Sequence, residues 1–141
     1  MPFFVALAVF SIDRFTKLAA LGLMRGYSVK VIPGLLKLTL VLNDGAAFGL
    51  FKGRAAFFVL ISVSIIVAII IYLVRTRPVD KMVSLALGLI LGGALGNLAD
   101  RIVIGRVIDF IDLGVWPVFN IADSCITIGA SLLIFSVFIK R

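Results

Sequence analysis

Every acidic residue in this 141-residue chain is an aspartate: there are seven acids, no glutamate and no histidine. Asp13, Asp100, Asp109 and Asp123 interrupt or abut long apolar runs. A carboxylate is costly to place there and is as a rule retained for a purpose. Without histidine the chain has neither a His-ligated metal site nor a Ser-His-Asp triad. Chemistry at neutral pH would fall to the aspartates.

The densest candidate stretch is Gly105-Arg106-Val107-Ile108-Asp109-Phe110-Ile111-Asp112, followed by Trp116-Pro117-Val118-Phe119-Asn120-Ile121-Ala122-Asp123-Ser124. Asp109 falls in a loop after the third apolar segment, and Asp123 in the first turn of the fourth. Both are expected at the same membrane face, where the connecting loop can fold back and join them. Taken singly, each has a plainer reading. Asp123 suits the positive end of a helix, with Asn120 as N-cap. Asp109 and Asp112 would be exposed loop acids. Together, two carboxylates in one site cannot easily both ionise, so one keeps its proton while the other acts as a base. Such a dyad titrates as a unit.

Two further groups stand out. Asp13 and Lys17 are four apart and share one helix face, either as a buried ion pair that orients the helix or as part of a site. Asn97, Asp100 and Arg101 close the third segment. A carboxylate at a helix C-terminus opposes the macrodipole, so Asp100 requires a partner, most simply a nearby arginine. A structural salt bridge is its plain reading.

The elements that must position these residues are membrane helices. Apolar residues make up 62% of the chain and the mean hydropathy is +1.25. Soluble domains are about half apolar. Residues 1–141 are expected to form a single integral-membrane domain with four spans, about 2–23, 55–74, 82–99 and 121–139. No positive charge precedes the first apolar run, which is therefore expected to be a retained helix rather than a signal peptide. Ser84, Gly88, Gly92 and Gly96 form a ladder of small residues on the third segment, a pattern for close helix packing. Between the first two spans, Ser28 to Ile32 and Lys37 to Leu42 flank Pro33-Gly34 and read as a small hairpin near the membrane surface.

The net charge of +7 is scattered singly, with no block and no aromatic interleaving. That pattern suits anionic lipid rather than nucleic acid. Cys125 is the sole cysteine, so no intramolecular disulfide forms. Arg75, Arg77 and Lys81 between the second and third spans, with Lys140-Arg141 at the end, place both termini in the cytoplasm by charge density. The opposite side holds more basic residues in total: Arg25, Lys30, Lys37, Lys52, Arg54, Arg101 and Arg106.

Five blocks, in order, carry a resemblance: Ser11-Ile12-Asp13-Arg14-Phe15-Thr16-Lys17, Asn43-Asp44-Gly45-Ala46-Ala47-Phe48-Gly49, Gly96-Asn97-Leu98-Ala99-Asp100-Arg101, Val107-Ile108-Asp109-Phe110, and Phe119-Asn120-Ile121-Ala122-Asp123-Ser124. They resemble the conserved blocks of lipoprotein signal peptidase, signal peptidase II, and span nearly the whole chain. The resemblance implies a bacterial inner-membrane aspartyl endopeptidase, a four-helix membrane bundle with a small extracytoplasmic sheet. Its substrate would be a prolipoprotein bearing diacylglycerol on the lipobox cysteine, cut on the N-terminal side of that cysteine. The implied catalytic pair is Asp109 and Asp123. Asn43, Asn97, Arg101 and Asn120 match supporting polar positions, and Asp13, Lys17 and Asp100 match residues tied to structure or the pocket. No metal or organic cofactor is implied, and a bundle this small could work as a monomer. Only about ten residues precede the first block and almost nothing follows the fourth span; neither departure removes a site residue.

In this reading an ionised aspartate takes a proton from a water between the carboxylates, while its protonated partner hydrogen-bonds the scissile carbonyl. Asn120 and the amides opening the fourth helix would steady the oxyanion. The rival from another class is a small four-span transporter using Asp13 and Lys17 as a coupling pair. Polar residues crowd toward one face, however, and the second span has no polar lining. Membrane aspartyl proteases with a Gly-x-Gly-Asp signature are disfavoured because no aspartate here follows Gly-x-Gly. A purely structural subunit would leave the five polar blocks unexplained.

Overall fold

The computed structural model describes residues 1–24, 26–45, 55–76 and 79–139. Arg25, Arg77, Lys52, Arg54, Lys140-Arg141 and the Ala46-Ala47-Phe48-Gly49 part of the second block lie outside the described residues. Within them the order is α1 (Pro2–Leu23), β1 (Val29–Ile32), β2 (Leu36–Asn43), α2 (Ala55–Arg75), α3 (Lys81–Ile104), β3 (Val107–Asp112) and α4 (Ile121–Ile139).

Helix ends follow local chemistry. Asp80 caps α3 by accepting the amides of Met82 at 2.9 Å and Val83 at 3.2 Å. Gly105 ends α3 in the left-handed conformation at φ 73°, its N–H bonded to the Arg101 carbonyl. α3 therefore runs a full turn past the expected end at Ala99, and Asp100 and Arg101 sit inside the helix.

α3 is the central helix. Its small-residue ladder seats α1: a Cβ on Gly88 would lie 2.7 Å from the Pro2 carbonyl, and one on Gly92 2.6 Å from that of Ala6. One on Gly96 would run into the Asp13 carboxylate. The opposite side of α3 seats α4, where a Cβ on Gly93 would lie 2.5 Å from the Ala122 carbonyl. Close helix approach through small residues is thus built into both contacts. α2 joins α3 through Ile66, Ile69 and Leu73 against Leu87, Leu91 and Ala94.

α2, α3 and α4 are long and apolar enough to cross a membrane. On α2 the buried residues are only Ile66, Ile69 and Leu73, while large apolar side chains such as Leu60, Val67 and Ile71 stay exposed. An apolar surface of this extent requires lipid rather than water around it, so the protein is a membrane protein. α1 spans 22 residues and buries a stripe of Ala6, Val9, Asp13, Lys17 and Ala20, with Phe4, Leu7, Phe15 and Leu18 turned outward.

The expected hairpin is present, within a three-stranded antiparallel sheet of order β1-β2-β3. β3 corrects the sequence reading, which left Asp109 and Asp112 in a loop. Val107, Ile108, Asp109 and Phe110 are all buried, and Val41 pairs with Asp109 and Lys37 with Asp112. Asp112 is consequently no exposed loop acid. It is 8% exposed, accepts the Gly114 amide at 2.8 Å, and pairs with Lys37 at 3.1 Å. Those two interactions, the Gly114 amide foremost, hold its carboxyl below the usual carboxylate range. Leu38, Leu40 and Phe110 pack the sheet onto Ala20 and Met24 at the end of α1.

Candidate active site

β3 and the start of α4 deliver Asp109 and Asp123 to one cleft. Each carboxylate oxygen of Asp109 has a donor: Oδ1 accepts from Asn120 Nδ2 at 2.7 Å, and Oδ2 from Asn43 Nδ2 at 2.9 Å. Asn43 ends β2, and its own Oδ1 accepts the Gly45 amide at 3.0 Å, which turns its NH2 toward Asp109. Asp123 is held likewise. Its Oδ1 accepts from Asn97 Nδ2 at 2.8 Å and its Oδ2 from the Asn120 backbone amide at 3.3 Å.

Asn120 is the joint between the two acids. Its Oδ1 accepts the Asp123 amide at 2.9 Å while its backbone N–H returns to the Asp123 carboxylate. This reciprocal cap is what the plain sequence reading of Asn120 and Asp123 anticipated. The same side chain also reaches Asp109, so a helix cap and a carboxylate contact are one device. Asn120 and the amides of Ala122, Asp123 and Ser124, expected to steady an oxyanion, are all engaged within the protein here. Asn120 Nδ2 is divided among Asp109, Asn97 Oδ1 at 3.2 Å and the Ile108 carbonyl at 3.3 Å. The amides of Ala122, Asp123 and Ser124 are bonded to Asp13, Asn120 Oδ1 and the Asn120 carbonyl.

The cleft holds about 340 Å³ and is lined on its polar side by Asn43, Asn97, Arg101, Asp109 and Asp123. Phe58, Val107, Trp116, Pro117, Phe119 and Ile126 supply apolar walls. The Arg101 guanidinium stacks over the Phe58 ring at 5.0 Å, within the field of both Asp123 and Asp109. Burial pushes the Asp109 carboxyl up to about 6; the Asp123 charge adds to the rise, and the bonds from Asn43 and Asn120 oppose it.

Behind the cleft lies a closed ionic core. Lys17 is fully buried and its ammonium reaches three acceptors at 2.8 Å each: Asp13 Oδ2, Asp100 Oδ2 and Asn97 Oδ1. The Asn97 contact is a hydrogen bond and the two carboxylate contacts are ion pairs; among the described residues Asp13 Oδ2 has this ionic contact but no hydrogen bond. The two carboxylates in turn grip backbone: Asp13 Oδ1 accepts the Ala122 amide at 3.0 Å, and Asp100 Oδ2 the Ile108 amide at 3.2 Å. Ala122 precedes Asp123 and Ile108 precedes Asp109. One ammonium thus ties down the chain next to both acids of the cleft. Arg14 binds Asp100 Oδ1. The arginine expected for Asp100 comes from α1, not from its own neighbourhood, and sequence reasoning gave Arg14 no role.

All nine candidate residues therefore meet in one assembly. Asn43, Asn97, Arg101, Asp109 and Asp123 face the cleft, Asn120 joins the acids, and Asp13, Lys17 and Asp100 form the buried core. A coupling pair in a transporter must exchange partners, whereas Asp13 and Lys17 are both fully buried and ion-paired to each other. The aromatic wall Phe58 escaped notice, since nothing in its local sequence sets it apart from lipid-facing aromatics, and Trp116, though within the candidate stretch, was given no role.

Comparison with known proteins bears on the whole chain. The family described as signal peptidase (SPase) II matches residues 5–139. The lipoprotein signal peptidase of Halothermothrix orenii is 47% identical over 135 residues, covering 95% of this chain and 92% of that protein. The lipoprotein signal peptidase of Pelotomaculum thermopropionicum is 44% identical over 132 residues, covering 93% and 87%. A bacterial membrane enzyme solved by the in meso method at 2.3 Å resolution superposes with a TM-score of 0.91 at 36% identity, over 97% of this chain and 87% of that one. With fold and sequence in agreement over nearly its full length, the chain belongs to the signal peptidase II family and is an aspartic peptidase of the membrane.

Proposed function

We propose that this protein removes signal peptides from prolipoproteins that carry diacylglycerol on the lipobox cysteine, cutting on the N-terminal side of that cysteine, with Asp109 and Asp123 as the catalytic dyad. The observation that carries this reading is the sharing of Asn120 by the two carboxylates at a single cleft. The dyad holds one proton. The ionised carboxylate draws a proton from a water lodged between the pair, and the water oxygen attacks the scissile carbonyl. The protonated carboxylate hydrogen-bonds that carbonyl and then supplies the proton that the departing amine needs. Arg101, in the cleft wall, provides the positive charge that faces the developing oxyanion. Asn43, Asn97 and Asn120 hold the acids in place.

The surroundings support a substrate anchored in lipid. α1 has the length of a span, about 33 Å at 1.5 Å per residue, and it directs its charges inward while its outer face is apolar. It serves as a fourth span, which sets both termini on one side, the cytoplasm, and the sheet and cleft at the extracytoplasmic face of a bacterial inner membrane. Residues 1–141 act as one domain, as a monomer and with membrane lipid rather than nucleic acid as the surrounding partner. Apolar walls, Phe58 and Ile126 among them, line the same cleft as the acids, and acyl chains would lie against them.

The test is cleavage of a diacylglyceryl-modified lipobox peptide by purified protein in detergent, with Asp123→Asn alongside. Cleavage before the modified cysteine that vanishes in the variant supports the reading. A folded wild type that cleaves neither this peptide nor its unmodified form overturns it.

A further inference from the structure

A second cleft, of about 200 Å³, lies at the far edge of the sheet and is not used by the peptidase chemistry. Lys30, Ile32, Leu35, Leu36, Lys37 and Leu113 line it. Lys30 on β1 and Lys37 on β2 are direct cross-strand partners, and Lys37 is in turn the partner of Asp112 on β3. The three charges therefore project from one face in a row. Like charges directly opposite on neighbouring strands are destabilising. Asp112 answers only one of them, through its ion pair with Lys37. Among the described residues the cleft offers no second carboxylate, so the row carries an excess positive charge.

The setting is apolar. β1 is an edge strand whose residues are all exposed, and Val29, Val31, Ile32 and Leu35 present 40–61% of their surface. In water such an edge would invite aggregation. The hairpin joins the end of α1 to the segment leading into α2, which puts it at one end of the helices; with α1 as the proposed fourth span, that end lies at headgroup level. An anion placed between Lys30 and Lys37 here has hydrocarbon walls on either side. We infer that the Lys30–Lys37 cleft seats the phosphate of an anionic phospholipid, with the glycerol and upper acyl chain against Ile32, Leu35 and Leu113. The lipid would brace one edge strand of the sheet whose opposite edge strand, β3, carries Asp109.

The experiment measures lipid retention by the full-length protein in detergent, by native mass spectrometry, with phosphatidylglycerol and phosphatidylcholine of identical acyl chains. Each lysine near an anionic lipid surface contributes on the order of fivefold in affinity. Phosphatidylglycerol should therefore be retained preferentially, with the preference reduced about fivefold by Lys30→Gln, abolished by Lys30→Gln with Lys37→Gln, and kept by Lys30→Arg. Equal retention of the two lipids by wild type overturns the inference, as does a preference unchanged in the double variant. Complete displacement of phosphatidylglycerol by inorganic phosphate would show a simple anion site and overturn the lipid assignment. The readout is binding, so its outcome is independent of whether the lipobox peptide is cleaved.

Discussion

The Lys17 ammonium donates to Asn97 Oδ1 at 2.8 Å, and in doing so fixes which end of the Asn97 amide meets Asp123. With its oxygen turned to Lys17, Asn97 can offer only its NH2 to the Asp123 carboxylate, at 2.8 Å. A buried charge on α1 thus sets the hydrogen-bond polarity at a cleft lined by α3 and α4. Lys17 also lies between Asp13 and Asp100, which hold the backbone beside Asp123 and Asp109.

Replacing Lys17 with methionine keeps an unbranched side chain, one atom shorter, and removes the charge. Asp13 and Asp100 would then be left in the core, Asp100 with Arg14 and Asp13 with none of its present cationic partner. Breaking a buried ion pair from one side costs about 3–5 kcal/mol. The variant should lose thermal stability in detergent by an amount of that order. Restoring balance with Asp13→Asn in the same chain should recover part of it. A Lys17→Met protein as stable as wild type would show that the ionic core does not hold the fold.

Asp109→Asn and Asp123→Asn should each leave a folded protein and remove activity, by at least about 10²-fold. Each substitution keeps the volume and one acceptor, and exchanges the other acceptor for an NH2. At Asp109 that NH2 would confront a donor from either Asn43 or Asn120. A modest drop in melting temperature is therefore expected. Cleavage of the lipobox peptide near the wild-type rate in either variant would remove that residue from the dyad.

Much of this arrangement was legible in the chain before its structure. The helices were readable because long uncharged runs such as that of α2 admit few alternatives, and the ladder at Gly88, Gly92 and Gly96 correctly marked close packing. The third strand was not. Val107 to Asp112 carries two aspartates, which strands disfavour, and its partner β2 lies far back in the sequence, so no local signal announces the pairing. The same blindness to distance hid Arg14 as the partner of Asp100. Asp112 was misread for a related reason: its ligands are Gly114, two residues on, and Lys37, one strand away. Candidate residues could be named from type and spacing, but how they bond depends on which distant elements meet.

Gly93 is a position where packing and activity should fail together. A Cβ there would meet the Ala122 carbonyl at 2.5 Å and Ile126 Cγ1 at 2.8 Å, and the first of these is backbone that cannot rotate away. α4 must shift outward at the turn that carries Asp123. Overpacking of this kind costs about 1–3 kcal/mol. Gly93→Ala should therefore lower both the melting temperature and kcat. Gly22→Ala, where added bulk meets nothing within 4 Å, should change neither. Full activity in Gly93→Ala would mean that the α3–α4 contact tolerates the shift without moving the acid.

The pH response tests the electrostatics of Asp109 directly. Its carboxyl titrates near 6 against an ordinary 3.8, so the fold favours the protonated form. The stability this contributes is full below about 3.8 and is lost as pH rises through about 6. For a dyad that works with one proton, the upper titration sets the alkaline limb of kcat/KM. The Asn43 amide opposes the rise by stabilising the anion. Asn43→Ala removes that donor while leaving burial and the Asp123 charge in place, so Asp109 should hold its proton to higher pH. The alkaline limb of peptide cleavage should accordingly move upward in Asn43→Ala, even as kcat falls through looser positioning. A limb that moves to lower pH would mean that Asn43 does not act on the titrating acid, and that the alkaline limb reports another group.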